Sequence, residues 1–254
     1  MFSAERPPQA ERDADSAAKD AAVKNASRAS APTRITVNNR ILFFLSLSMI
    51  TDVCLSISDP ALYPVSDVYA EAKRNGWEAV AITSAGPEDK DVLSCVRIHA
   101  DSAKELQSRV RSAPKHAFII ADARDNSFNR FALTLNGVSF LAGLENLPKG
   151  GFDHIAAKLA AEKNTGLVIE LSAIIDYKTR RSALSSYADC LALQRKYQFP
   201  LVIASGARTP YGIRNLKETE ALCSLFGMTR AEVYHALNAA DAVLHPKKIL
   251  EVVE

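Results

Sequence analysis

The feature that most constrains this chain is an alternation. Short apolar runs at 50–57, 78–83, 92–98, 116–122, 138–142, 166–174 and 200–204 are separated by stretches whose apolar residues recur at helical spacing. Strand-length runs interleaved with amphipathic helices indicate parallel βαβ units, because antiparallel neighbours would need only a tight turn between them. The helical repeat is visible in Val65, Val68, Tyr69 and Ala72, with Ser66 as a candidate N-cap and Gly76 as a stop. It recurs in Ile155, Leu159 and Ala160, and again in Leu184, Ala188 and Leu191. Seven strands within about 155 residues fit one compact barrel better than two domains. The chain should then close in helices at 216–226, 230–239 and 247–253, the first two capped by Asn215 and Thr229 and separated by Gly227.

Upstream of 49 the pattern is absent. Residues 1–38 are rich in Ala, Ser, Asp, Lys and Arg, and such a segment buries too little apolar surface to offset its ordering entropy. The expected division is therefore a disordered tail or translated leader over 1–48 and a barrel domain over 49–254, with Met49 a plausible native start. The apolar run from Ile41 to Ile50 is shorter than the roughly 20 residues a bilayer-spanning helix needs, and Asp52 follows it. No membrane role is expected.

Charge and cysteine content narrow the function classes. The net charge is +2 over 254 residues. Residues 49–254 balance 24 cations against 24 anions, so a nucleic-acid surface on the body has to be a local patch. Cys54, Cys95, Cys190 and Cys223 are far apart, which fits a reducing compartment, the cytoplasm by default, and offers no zinc-type pair.

In an α/β barrel, function gathers at the C-terminal ends of the strands. The residues there are Asp52, Cys54 and Ser56; Ser84; His99; Asp122 and Arg124; Glu170; and Ser205, Gly206 and Arg208. No nucleophile elbow, P-loop, dinucleotide fingerprint or HExxH helix occurs. Only His99 of the five histidines lies at a strand exit, so no metal site is expected. The loop from Ser205 to Arg208 has two readings: a phosphate cradle built from a glycine and an arginine, or a simple turn with a solvated guanidinium. Basic residues also cluster at Lys73-Arg74, at Arg124 with Arg130, at Lys178 with Arg180 and Arg181, and at Lys247-Lys248. Phe128, Phe131 and Tyr211 lie near such groups, a thin aromatic interleaving for a single-strand reader.

Three blocks carry a resemblance. They are Phe128-Asn129-Arg130-Phe131-Ala132 with Val138-Ser139-Phe140-Leu141; Gly151 to Glu162 running into Val168-Ile169-Glu170-Leu171; and Ile203-Ala204-Ser205-Gly206-Ala207-Arg208 with Leu216 to Met228 behind it. In order and spacing, over roughly 50–245, the chain resembles the archaeal ribonuclease P protein component 3 family, counterpart of the eukaryotic thirty-kilodalton subunit. The resemblance implies a TIM-like (β/α) barrel related to the polymerase-and-histidinol-phosphatase fold. Those metal-dependent relatives carry a His-x-His pair at the end of the first strand, where this chain has Cys54 and Ser56, so it implies a barrel without their metal chemistry.

It further implies a non-catalytic protein subunit of ribonuclease P, supporting RNA-catalysed removal of the 5′ leader from precursor tRNA. Magnesium would be used by the RNA subunit, and no cofactor would be bound by the protein. Implied partners are the ribonuclease P RNA, a second protein subunit and precursor tRNA. The RNA- or partner-facing residues expected from this reading are Arg124, Asn129, Arg130, Ser205 and Arg208; Arg130 has the alternative of pairing with Asp125 or Asp122. Ser139 stands where the family often has an acid. The competing expectation is a free-standing phosphoesterase or isomerase using Glu170, His99 and the Ser205 loop, and a third is a scaffold that binds only protein.

Overall fold

A computed structural model describes residues 49–59, 61–83 and 90–246. The expectations for 1–48, Ser84, Lys247-Lys248 and a helix at 247–253 lie outside the described residues.

Seven strands, β1 (Thr51–Leu55), β2 (Ala79–Thr83), β3 (Val92–Ile98), β4 (Phe118–Asp122), β5 (Val138–Ala142), β6 (Gly166–Glu170) and β7 (Leu201–Ala204), pair in parallel in chain order. Between and after them run α1 (Val65–Arg74), α2 (Ala103–Ser112), α3 (Asn126–Thr134), α4 (His154–Lys163), α5 (Leu171–Ile175), α6 (Arg180–Tyr197), α7 (Leu216–Ser224) and α8 (Arg230–Leu244). The sheet curls into a nearly closed barrel. Among the described residues no ladder joins β1 to β7; the gap is bridged at their C-terminal ends, where the N–H of Ser56 donates to the Ala207 carbonyl (3.1 Å) and that of Ser58 to the Arg208 carbonyl (3.0 Å). Helix α8 packs against β6, β7 and β1 and adds Ala239, Ala240 and Val243 to the barrel's apolar interior.

Most strands are buried on both faces, so each contributes to two cores. One set, Val80, Ile82, Ile119, Ala121, Leu141, Leu167, Ile169 and Ile203, packs under the helices. The other fills the barrel: Ala81, Cys95, Ile120, Phe140, Ala142, Val168, Val202 and Ala204. Gly166 makes room for this layer, since a Cβ there would lie 2.7 Å from the Phe140 ring.

Local signals mark the helix starts. Asn215 and Thr229 each form a capping box, with Glu218 and Glu232 respectively. Asp153 accepts from the N–H groups of Ile155 and Ala156. Two expectations need correction. Helix α1 begins one residue after Pro64, so Ser66 lies inside the helix and does not cap it; proline supplies a preset φ at the entry. The apolar run 166–174 is not one strand, because the chain leaves the sheet after Glu170 and coils into α5. A short apolar run fits a buried helix as well as a strand, and here Leu171, Ala173 and Ile174 are buried helical positions.

Candidate functional site

The period of two that fills the barrel with apolar side chains continues to its C-terminal mouth. Counting on from Cys95, Ile120 and Val168 along the inward face gives Arg97, Asp122 and Glu170, and these three meet. The Arg97 guanidinium donates from Nε to Asp122 Oδ1 (2.7 Å), from Nη1 to Glu170 Oε2 (3.0 Å) and from Nη2 to Glu170 Oε1 (2.8 Å). Its Nη1 also reaches the Cys54 Sγ at 3.4 Å. Burial works against the charge of Arg97, but Glu170 and then Asp122 more than offset it and hold the guanidinium protonated.

Around this pair stand other buried groups. Glu170 Oε1 also accepts from the Gly143 N–H (3.3 Å), and the Tyr187 hydroxyl bonds the Glu170 backbone and lies 3.4 Å from Glu145 Oε2. Burial, followed by the negative charge of Glu170, raises the Glu145 carboxyl, and burial with Glu145 raises the Tyr187 phenol. One layer deeper, Asp52 is fully buried. Its Oδ1 accepts from the N–H groups of Cys54 (3.3 Å) and Ser205 (3.1 Å), while Oδ2 has no partner. Desolvation raises its pKa to about 6, with hydrogen bonding from Ser205 opposing and Glu170 adding to the rise. Burial likewise pushes the Cys54 thiol up and the Cys95 thiol up to about 12.

This donor set does not fit a catalytic metal. Asp122 and Glu170 already share a fixed cation, and the Cys54 thiol beside it is kept neutral by burial, so no ring of free anionic or imidazole ligands faces a common point. Among the described residues no three His, Cys, Asp or Glu side chains form a metal-binding group. The phosphoesterase or isomerase arrangement is not assembled either. Both Glu170 oxygens are held by Arg97, His99 is an exposed side chain 3.3 Å from Asp122 Oδ2, and Ser205 is buried. A general base needs an accessible lone pair within reach of substrate, and Glu170 is buried with both oxygens bonded to Arg97.

The five expected interface residues fall in different environments. Arg124 donates to the Ala100 carbonyl and pairs with Asp101 on the surface. Asn129 is 0% exposed: its Oδ1 accepts from the Arg124 N–H (2.7 Å), and its Nδ2 donates to the carbonyls of Arg124 (2.9 Å) and Gly151 (2.8 Å). It braces two loops and meets no partner directly. Arg130 pairs with Asp153, the cap of α4, and not with Asp125 or Asp122; Asp125 is the cap of its own helix, α3.

Ser205 is 1% exposed and gives its N–H to Asp52, while its hydroxyl accepts from the Ala207 N–H. Two of the loop's amides, those of Ser205 and Ala207, are therefore bonded within the protein, which leaves less of the backbone for a phosphate. Gly206 has φ +61°, and a Cβ there would collide with the Ser172 hydroxyl and lie 3.1 Å from Glu170 Oε2; the space above it already holds a carboxylate. Only Arg208 of the five has an exposed guanidinium without an ion-pair partner among the described residues.

Arg97 was missed from sequence because strands buried on both faces hide which alternation points inward. The usable signal was a charged residue in phase with Leu93 and Cys95 inside a mostly apolar strand.

The family model for "RNase P subunit p30" matches residues 49–250. The Ribonuclease P protein component 3 of Methanococcoides burtonii is 31% identical over 171 residues, covering 66% of this chain and 70% of the relative. That of Methanopyrus kandleri is 32% identical over 146 residues, covering 56% and 60%. A chain in the cryo-EM structure of archaeal Ribonuclease P with mature tRNA superposes with a TM-score of 0.57 at 19% identity, covering 78% of this chain and 95% of that one, which shows a shared fold.

Proposed function

Because this chain belongs to the RNase P subunit p30 family, matched from residue 49 to 250, we propose that it acts as a protein subunit of ribonuclease P. In this reading it supports endonucleolytic removal of the 5′ leader from precursor tRNA without supplying a reacting group. The observation that carries the non-catalytic half of this reading is the barrel mouth itself. The position where a barrel enzyme would hold its metal or base is filled by the ion-paired Arg97 guanidinium.

The hydrolysis then belongs to the RNA subunit, with magnesium bound by RNA and not by this chain. The protein's work is to bind and orient, together with a second protein subunit. Among the described residues no helix is long and apolar enough to cross a membrane, and four free cysteines support a reducing compartment such as the cytoplasm. Of the five basic and polar positions singled out above, the environment of Arg208 is the one that suits direct contact with RNA; Arg124 and Arg130 would reach a partner only by exchanging their carboxylates.

The test is precursor-tRNA cleavage at low magnesium with ribonuclease P RNA and the other protein subunits, with and without this chain. The expected result is faster cleavage with the chain and none from the chain alone. Unchanged cleavage with folded protein would overturn the subunit reading, and cleavage by protein alone would overturn the assignment of catalysis to RNA.

A further inference from the structure

Four arginines in or after β3 and β4 are neutralised within the protein: Arg97 by Asp122 and Glu170, Arg109 by Glu105, Arg124 by Asp101 and Arg130 by Asp153. Lys104 and Arg111 on α2 are exposed without a carboxylate partner among the described residues. Two arginines after β6 and β7 are likewise unpaired, and these have exposed aromatic rings close by in the chain. Arg181 and Arg208 are exposed and have no carboxylate partner among the described residues, and Lys178 lies over the Tyr177 ring.

The carboxylates nearest in the chain each hold one oxygen against backbone N–H groups. Asp176 accepts from the Lys178 N–H, Asp59 from Ala61 and Leu62, and Glu218 from Asn215. Beside the free arginines stand two outward-facing rings, Tyr177 at 76% and Tyr211 at 79% exposure. Tyr211 is fixed by the buried Pro210 in its turn and by an edge-to-face contact with Tyr63 (centroids 6.3 Å, 86°). The two loops meet at their bases: the Ser172 N–H donates to the Ser205 carbonyl (3.0 Å), and α5 packs against α7.

We propose that this rim, over β6, β7 and β1, is a single-strand RNA surface on which Tyr177 and Tyr211 stack bases while Arg181 and Arg208 contact phosphates. The proposal rests on the subunit reading and names the RNA-facing side of the barrel. Exposed rings present π-faces that any base can stack on, and unpaired guanidiniums release counterions when they meet phosphates. Leu62 is the one exposed large aliphatic side chain on these loops among the described residues, and because tyrosine and arginine also serve protein interfaces, the crosslinking test separates RNA from a protein partner.

The test uses the reconstituted holoenzyme. Tyr177→benzoylphenylalanine and Tyr211→benzoylphenylalanine are irradiated with ribonuclease P RNA and precursor tRNA carrying different labels. Crosslinks to either RNA are expected, and the label tells which. In parallel, the Arg181→Ala/Arg208→Ala double variant should make the salt dependence of RNA binding shallower by about 1.4 in log–log slope, for two single-strand phosphate contacts. Tyr211→Ala should weaken RNA binding at least about fivefold.

Crosslinks only to a protein subunit would overturn the proposal and make the rim a protein interface; so would no crosslink together with an unchanged slope. Wild-type chain run alongside separates the two levels. If it stimulates cleavage while the variants match it, only the rim assignment fails; if it does not, the subunit reading fails first.

Discussion

Arg97 and Glu170, 73 residues apart, form a two-pronged ion pair at the mouth of the barrel, with Nη1 and Nη2 each 3.0 Å or less from a separate carboxylate oxygen. A fork of this kind matches a carboxylate in a way that a point charge does not. The pair closes the part of the fold where barrel enzymes hold their chemistry.

Arg97→Ala should therefore destabilise the protein by roughly 3–5 kcal/mol, because it strands Asp122 and Glu170 in a poorly hydrated site. Urea unfolding of the variant beside the wild type checks this, and an unchanged midpoint would disprove it. Arg97→Lys should recover only part of the loss, since an ammonium cannot reproduce the fork.

Asp52 supplies a pH effect. Its folded pKa, about 6, lies above the ordinary aspartate value of about 3.8, so its protonated form is favoured in the fold. It contributes stability that is fully present below about 4 and lost as pH rises through 6, on the order of 2–3 kcal/mol. Asp52→Asn keeps an acceptor for the Cys54 and Ser205 amides and does not titrate. Unfolding midpoints from pH 4 to 7 should fall more steeply for the wild type than for the variant, and parallel profiles would disprove the assignment.

Asn129→Ala should cost about 2 kcal/mol or more, because it leaves two carbonyls and one N–H without their partner in a buried site. For a domain of this size that is a drop of about 4–8 °C in melting temperature. Arg124→Ala, which removes a surface pair, should shift it far less. Thermal melts of both variants measure the contrast.

Gly206→Ala faces both a left-handed backbone and the Ser172 hydroxyl, and should lose roughly 2–4 kcal/mol. Gly206→Ala/Ser172→Ala should be more stable than the sum of the single changes, because the second removes the group the first collides with. Strict additivity in denaturant unfolding would mean that backbone strain alone sets the cost.

The strand positions from 92 to 98 and from 138 to 142 were legible almost to the residue, because β-branched and aromatic runs bounded by polar turns have one local solution. The capping role of Asn215 and Thr229 was equally plain, since a cap and its acceptor at N3 are close in sequence. The strand end at Glu170 was not. An apolar run reads alike as strand or buried helix until it is known that Ser172 must meet Ser205.

What the sequence by itself determined is the barrel: seven apolar runs alternating with amphipathic helices leave a right-handed parallel winding as the way to bury them. Its blocks from Phe128 to Met228 also carried the family. What only the tertiary structure decided is the character of the mouth and which arginines are free. Arg97, Asp122 and Glu170 come from three strands, and Arg130 finds Asp153 across a helix boundary. A guanidinium looks the same in sequence whether a carboxylate neutralises it or water surrounds it; that difference arises only when distant strands and loops are brought within a few ångströms, where charge interacts most strongly.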